Sequence, residues 1–405
     1  MGHAHDHLGI EHNRDFQRLW IGSSISALGS RVSVIAYPLL VLAITSSPAD
    51  AGLVGFSTTM PYLLFHLPAG VLVDRWDRKR IMIACDAGRA IALGSIAVVG
   101  YAGTLRLPHL IAAAFVEGTL TVFNGLSEPV AIRQIVPAPQ RLAALAKLEA
   151  RGRIATLLGQ PLGGFAFGLR AWAPFFIDCL SYVVSLTAVA SIRQSLEPAP
   201  RTERNALGAE IAVAVRWLWR HRLLRDMTLL VAASNLVFQV LVLALLVEAR
   251  RQGASSFTTG VMIAGAGLGG IVGSILAPRA QRRWSARSLT WRVHAFWALA
   301  MPLILVVHHV YALGCLLGVM ACAGAMWNVA VGVYRLEVTP PDMLARVGSA
   351  MGLVVAGALP LGSLLGGIAL DAWGLPTAAL GLIGAMALLA GAAAHSTARG
   401  ERSMT

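Results

Sequence analysis

The stretch 69-AGVLVDRWDRKRIM-82 places four basic and two acidic side chains between two long apolar runs. Across the whole chain of 405 residues, 56% are hydrophobic and 13% are charged. Soluble domains carry about a quarter charged residues. The formal net charge of +13 could indicate nucleic-acid binding, but in so apolar a chain it indicates basic loops on the cytoplasmic side of a membrane. We therefore expect a membrane protein that does not bind nucleic acid.

Twelve segments are long and apolar enough to cross a bilayer, which takes roughly 20 residues each. They cover residues 17–45, 50–73, 80–103, 108–135, 142–169, 172–192, 225–249, 255–278, 288–307, 310–334, 345–370 and 374–395. The sequence therefore predicts an all-α membrane protein with twelve transmembrane helices. Its predicted parts are an N-terminal six-helix bundle (1–192), a cytoplasmic linker (193–224) and a C-terminal six-helix bundle (225–405).

The distribution of basic residues predicts the orientation in the membrane. They are concentrated after span two, around the connection of spans four and five, in the linker and after span eight. The opposite loops carry far fewer, namely Arg106, Arg170, Arg250 and Arg251. The positive-inside rule then places both termini in the cytoplasm, in a bacterial inner membrane. The second part of the linker is amphipathic and fits either a helix on the membrane face or an extension of span seven.

The chain carries no motif that points to an enzyme or a cofactor. It has neither a GxxxxGK[ST] phosphate loop nor an HExxH zinc motif. His3, His5, His7 and His12 fit a metal site or, better, a solvated tail. We therefore expect a non-enzyme with no cofactor and no metal, whose partners are a small molecule, protons and the lipid bilayer. A monomer is the simplest expectation.

The two halves of the chain repeat one another at an offset of 203 residues. The matching landmarks are Gly70 with Gly273, Pro137 with Pro340, and Gly163-Gly164 with Gly366-Gly367. At this offset Ala277 aligns with Asp74. Two six-helix repeats of the same topology are typical of transporters that hold the substrate path between the halves.

The opening stretch resembles the signature of the major facilitator superfamily. The resemblance rests on Gly70-x-Leu72-x-Asp74-Arg75-x-x-Arg78-Lys79, although Asp77 stands where the superfamily pattern usually has glycine. The segments NRDFQRLWIGSSISALGS, LVLAITSSPADAGLVGF and LVDRWDRKRIM resemble the branch that contains enterobactin exporters and macrolide efflux proteins. The resemblance implies a secondary exporter of a drug, siderophore or other small organic molecule, driven by proton antiport. An importer of the same fold and a non-transporting membrane sensor remain alternatives.

Two further motifs bear on direction and coupling. Span five contains GQPLGG, which is similar to the Gly-Pro-x-x-Gly-Gly pattern of the superfamily's antiporters, with Pro161 shifted by one position. Span four has Ala114 where the related drug-antiporter signature places arginine. The resemblance therefore supports export, but the coupling residues cannot be copied from that group.

The signature residues Gly70, Asp74, Arg75, Arg78 and Lys79 are predicted to form a cytoplasmic gate. Asp74 would lie near the N-terminus of span eleven, where a carboxylate gains about 0.3–1 kcal/mol from the helix dipole. Such a contact forms when the cytoplasmic side closes and breaks when it opens. The alternative is that these charges only set the topology.

Acidic residues inside the spans are the candidates for proton coupling, because charges there are costly. Glu117, Thr121, Asn124 and Glu128 fall within an arc of roughly 60° on span four. Burial favours the protonated form of a carboxyl group, so Glu117 is the first candidate for the proton carrier. Glu128 is expected to pair with Arg133 or with the basic stretch after span two. Asp178 on span six could pair with Arg170 or Arg31.

The predicted substrate cavity draws polar and aromatic residues from both halves. They are Arg31, Tyr37, Thr121, Asn124, Asn235, Gln239, Trp327 and Asn328. Arg31 lies at mid-span and is expected to need an acidic partner. Ser26, Ser30, Ser33 and Tyr37 form a stripe on span one that would either face substrate or permit tight packing, and packing is the better fit.

Overall fold

The computed structural model describes residues 10–197, 207–341 and 343–401, and every regular element in these ranges is helical. His3, His5 and His7 lie outside these ranges. The helices of the first half are α1 (Arg14–Thr45), α2 (Pro48–Arg75), α3 (Arg78–Tyr101), α4 (Leu107–Ile135), α5 (Arg141–Leu169) and α6 (Ala173–Ala190). They are followed by α7 (Leu207–Arg220), α8 (Arg222–Arg251), α9 (Ser256–Arg283), α10 (Ala286–Ala300), α11 (Leu303–Val306), α12 (Val310–Val338) and α13 (Leu344–Glu401).

The helices make twelve membrane passes, which correspond to the twelve predicted spans. Ten stretches of the described residues are long and apolar enough to cross a membrane, and α10 with α11 counts as one of them. Helix α13 contains two passes, because Gly374 has a φ of 72° and breaks the helix there. Helix α5 is the twelfth: it is 29 residues long, but its charged first half lowers its hydropathy. The predicted twelve-helix fold is confirmed.

The linker contains a separate helix, α7. His221 has non-helical backbone angles (φ −88°, ψ 85°) and separates α7 from α8. Ala214 and Leu218 of α7 are buried, and the helix packs mainly against α13. The helix is therefore not an extension of span seven.

The repeat has two offsets rather than one. Helices α1, α2 and α3 begin at Arg14, Pro48 and Arg78, and α8, α9 and α10 begin 208 residues later, at Arg222, Ser256 and Ala286. Helices α4 and α5 begin 203 residues before α12 and α13. The stretch from the third helix to the fourth pass is thus five residues shorter in the second half.

This shift corrects the alignment of the signature stretch. At an offset of 208, Asp74 corresponds to Arg282 and not to Ala277. Asp77 and Ser285 then coincide, and both side chains cap the helix that follows, α3 and α10 respectively. The match of Gly70 with Gly273 is therefore a coincidence of glycine-rich helices.

The two halves touch closely at one end of the bundle. We call the end at which α1 begins and α2 ends the basic end, and the other the opposite end. Near the opposite end a Cβ atom on Gly52 would lie 2.4 Å from the Ser363 carbonyl oxygen, and one on Gly164 would lie 2.2 Å from that of Ser256. Glycine permits this backbone contact because it has no side chain. The Ser47 hydroxyl adds a hydrogen bond of 3.1 Å to Asp371.

Toward the basic end the glycines of the same four helices make no such contact. Cβ atoms built on Gly70 of α2, Gly152 of α5, Gly270 of α9 and Gly352 of α13 would meet no atom within 4 Å. The closest backbone contacts between the halves are therefore those of the opposite end.

Candidate functional site: a polar cavity between the two halves

A cavity of about 380 Å³ lies between the halves, beneath the contacts of the opposite end. Helices α1, α2, α4 and α5 of the first half and α8, α9 and α13 of the second half line it. Most of its lining is apolar. The larger polar side chains on its wall are Tyr37, Glu117, Gln160 and Gln239. Such a chamber, apolar with a few polar groups, is typical of a small-molecule site.

Glu117 is the acidic group of this cavity. Its side chain is buried, and the Tyr37 hydroxyl donates to its Oε2 at 2.7 Å. The neighbouring Gly118 allows α4 to approach α2, since a Cβ atom there would lie 2.2 Å from the Thr58 carbonyl oxygen. The edge-on contact of Tyr37 with Phe175, at 5.0 Å between ring centroids, holds the phenol in place. The first-ranked proton candidate thus lies on the cavity wall with a hydroxyl donor.

Asp178 is buried away from the cavity, between α1 and α6. Ser33 donates to its Oδ2 at 2.5 Å, and Ser181 donates to its Oδ1 at 2.9 Å. Gly29 makes room for this cluster, because a Cβ atom there would collide with Asp178 and Ser181. The expected pairing with Arg170 or Arg31 is wrong, because hydroxyl groups of the tightly packed α1–α6 interface satisfy the carboxylate instead.

Glu128 forms an ion pair with a residue of α5. Both guanidinium nitrogens of Arg151 donate to its two carboxylate oxygens, at 2.6 and 3.2 Å. The expected pairing with Arg133 is wrong. Five residues along a helix turn a side chain by roughly 140°, so Arg133 points to another side of α4 and is exposed.

An ion pair that the sequence reading missed lies inside α3. Asp86 and Arg89 are both buried and are joined by a short hydrogen bond. The Arg89 guanidinium also lies 4.2 Å from the centroid of the Tyr182 ring, whose hydroxyl bonds to Ser30 at 2.8 Å. Opposite charges at i and i+3 within an apolar span were the signal that could have found this pair.

The hydroxyl stripe of span one faces the interior of the first half. Ser30 and Ser33 bond to α6, and neither lines the described cavity. Tyr37, at the end of the stripe, reaches both Glu117 and the cavity. The packing interpretation therefore holds for the serines, and Tyr37 is the member that faces the cavity.

The second-half candidates separate in the same way. Gln239 lines the cavity and donates to the Ser363 hydroxyl at 3.0 Å. Trp327 is wrong as a substrate contact: its side chain is 1% exposed, its Nε1 donates to Thr290 at 3.0 Å, and it packs against His294. Five further candidates are not among the residues that line the described cavity: Arg31, Thr121, Asn124, Asn235 and Asn328.

The signature residues make described contacts within the first half. Arg78 is buried and donates to the Asp74 carbonyl oxygen at 3.2 Å, and the Lys79 ammonium donates to the Ile192 carbonyl oxygen at 2.7 Å. Asp74 and Arg75 are exposed at the basic end. The gate contact between Asp74 and the start of α13 stays a prediction.

Comparison with known proteins gives a family and a fold. A family model described as a transmembrane secretion effector matches residues 11–402. The multidrug efflux pump Tap of Mycobacterium tuberculosis (strain ATCC 25618 / H37Rv) is 26% identical over 378 residues, which cover 88% of this chain and 87% of Tap. The solved structure of the nucleoside transporter NupG superposes with a TM-score of 0.78 at 13% identity, covering 94% of this chain and 98% of NupG.

A second solved structure shows the same fold. It is a bacterial homologue of the human lysosomal transporter Spinster in an inward-facing, unoccupied conformation. The TM-score is 0.73 at 15% identity, over 96% of each chain. At these identities the likeness shows the architecture alone.

Proposed function

Because the chain belongs to the transmembrane secretion effector family of major facilitator transporters, we propose that it exports a small organic molecule by proton antiport. The name of the relative Tap, a multidrug efflux pump, supports export as the direction of transport. The observation that carries the coupling is the position of Glu117: a buried carboxyl group on the cavity wall, with a hydroxyl as its hydrogen-bond partner.

The charge balance of the first half supports this role. Its buried charged side chains, among the described residues, are Asp86, Glu117, Asp178, Arg78 and Arg89. Arg89 is paired with Asp86, and Arg78 lies at the basic end. Glu117 and Asp178 therefore lack an ion-pair partner. An unpaired ionised carboxylate in an apolar interior is costly by several kcal/mol, so protonation relieves that cost while the site is closed.

The proposed cycle couples this protonation to alternating access. With the basic end open, Glu117 releases its proton to the cytoplasm and substrate enters the cavity. The halves then rock so that the basic end closes and the opposite end opens. Substrate leaves, and Glu117 takes a proton from the exterior before the return step. Asp178, which lies on the same helix interface as Tyr37, is the proposed second proton site.

The signature stretch has its proposed role in the closed form of the basic end. Asp74 and Arg75 are exposed at the end of α2, and in the closed form this end would lie against the start of α13. Asp74→Asn is then expected to shift the population toward the open form. Spin labels across the basic end measure this shift, and an unchanged distance distribution would leave the stretch with a topological role alone.

The proposed orientation places both termini and the basic end in the cytoplasm of a bacterial cell. A single cysteine at Arg106, in a cysteine-free background, is expected to react with an impermeant thiol reagent from outside. A cysteine at Thr202, outside the described residues, is expected to react only after the membrane is opened. Labelling of Thr202 in intact cells would reverse the orientation.

The main test is Glu117→Gln, which keeps the shape of the side chain and mimics its protonated form. Inverted vesicles are screened with drugs, siderophores and peptides, and the best proton-driven substrate is used. We expect Glu117→Gln to abolish uptake against a gradient while exchange between equal concentrations survives. Glu248→Gln, which changes an acid beyond the cavity at the opposite end, is the matched control. Wild-type accumulation by Glu117→Gln would remove Glu117 as the carrier, and uptake only in right-side-out vesicles would indicate an importer.

A further inference from the structure

The geometry points to an anionic substrate: we propose that Arg31 binds a carboxylate, sulfonate or phosphate group of the transported molecule at the mouth of the cavity. This inference rests on the proposed transport function and specifies the chemistry of its substrate.

Arg31 lies on the cavity-lining face of α1. Val34, Ile35 and Pro38 of this helix line the cavity, and they follow Arg31 by three, four and seven residues. Side chains at these spacings share one helix face. Arg31 therefore lies one turn from the cavity toward the basic end, from which substrate would enter in the proposed cycle.

The position of the Arg31 backbone is fixed by its neighbour α5. A Cβ atom on Gly159 would lie 2.3 Å from the Arg31 Cβ, so the two helices are in direct contact at the root of this side chain. The side chain itself is exposed. The exposed side chain of Arg31 thus starts from a rigid contact.

Arg31 makes no ion pair with any described residue, whereas several other arginines of the first half do. Arg89 has Asp86, and Arg151 has Glu128. A guanidinium is always charged, and an unpaired charge at mid-span is costly unless it faces water or a ligand. The expected acidic partner of Arg31 is therefore absent from the described part of the chain, and the transported molecule can supply it.

The surroundings indicate what the rest of that molecule looks like. Tyr62 of α2 has an exposed ring that stacks on His66, with 6.2 Å between the ring centroids. Beyond Arg31 the cavity wall is apolar, with Leu243 and Ile263 among its residues. A planar guanidinium binds carboxylates and phosphates through two parallel hydrogen bonds. The site therefore suits an organic anion with an apolar or aromatic body.

The test uses three ligands of one shape and different charge: 2-naphthoate, 2-naphthamide and 2-naphthylmethylammonium. Equilibrium binding is measured on the full-length protein in nanodiscs of zwitterionic lipid, so that the membrane adds no net charge. We expect wild-type protein to bind the carboxylate about tenfold more tightly than the amide, and the ammonium ion no more tightly than the amide.

Arg31→Gln is expected to remove the preference for the carboxylate and leave the affinity for the amide unchanged, which shows that the cavity is intact. Arg31→Lys keeps part of the preference, because it keeps the charge but loses the planar fork. Arg106→Gln, which removes one charge at the far end of α4, is the matched control and behaves like wild type.

Equal affinity of wild-type protein for the carboxylate and the amide would overturn the inference, and this comparison needs no variant to fold. A preference that survives in Arg31→Gln would overturn it as well. Equilibrium binding requires no proton gradient. Failure here is therefore distinguishable from failure of proton-coupled export, which the Glu117→Gln transport assay measures separately.

Discussion

The interiors of the two halves are built from equivalent helices, but different kinds of side chain fill them. In the first half Asp86 and Arg89 form a buried ion pair on α3. At the equivalent positions of α10, 208 residues later, the second half has His294 and Trp297. Likewise Met320 on α12 occupies the position of Glu117 on α4.

The aromatic interior satisfies its polar groups with neutral partners. The Trp297 indole donates to the Met320 carbonyl oxygen at 2.9 Å, and the Trp327 indole donates to Thr290. The two ring nitrogens of His294 bond to Ser234 and to the Thr290 carbonyl oxygen. Among the residues that the structure describes, the buried carboxylates thus all lie in the first half. The comparison teaches that one fold accepts either filling, and it supports the proposal that proton coupling belongs to the half with the carboxylates.

The largest expected effect comes from breaking the buried ion pair. Arg89→Met leaves Asp86 charged, buried and unpaired, and we expect the free energy of unfolding to fall by about 3–5 kcal/mol. Thermal unfolding of the purified protein in detergent measures this. The double variant Asp86→Leu with Arg89→Met is expected to recover most of the loss, since both charges are then gone. Equal destabilisation by the single and double variants would contradict the interpretation that Asp86 and Arg89 form a stabilising ion pair.

A smaller effect is expected where the two halves meet. Gly164→Val places a side chain against the Ser256 backbone and is expected to destabilise the closed opposite end by about 1–3 kcal/mol. Spin labels at Arg170 and Gln252 then report a longer distance across that end. Gly168→Val, one turn along the same helix, meets open space and is the control. If the halves move as rigid bodies, neither Gly164→Val nor Gly168→Val changes the packing inside either half.

The aromatic interior is expected to tolerate a partial deletion better than the ionic one. Trp327→Phe keeps an aromatic ring but removes the donor to Thr290, and we expect a loss of about 1–2 kcal/mol. Trp373→Phe, on an exposed side chain, is the control and stays near wild type. A loss as large as that of Arg89→Met would erase the energetic difference between the two interiors.

The smallest effect on stability is expected from giving the first half the residues of the second. Leu245 and Met320 occupy the positions equivalent to Tyr37 and Glu117. The double variant Tyr37→Leu with Glu117→Met removes a hydroxyl and a carboxyl together, so stability is expected to change by no more than about 1 kcal/mol. Accumulation against a gradient is nevertheless expected to be lost, because the proposed proton carrier is gone. If the double variant still accumulates substrate, the difference between the two interiors does not identify the residues that couple transport to protons.

The sequence by itself determined the number of spans and the place of Glu117. Both depend on local properties: roughly 20 apolar residues suffice to cross a bilayer, and the helical period sets the face on which a residue lies. The same period predicted that a polar stripe would run along span four. The low hydropathy of α5, which sets it apart from the other spans, also follows from local composition, because the charged residues of its first half can be read from the sequence.

Only the tertiary structure decided which groups meet. Glu128 pairs with Arg151 and Asp178 with Ser33, because the rotation and approach of separate helices depend on side-chain packing and on glycine contacts across the interface. The tertiary structure also decided the register of the repeat. The stretch from the third helix to the fourth pass is five residues shorter in the second half, so the equivalent positions in the first three helices shift by five residues. Trp327 turned inward to Thr290 because a buried indole needs an acceptor, and that acceptor lies on another helix.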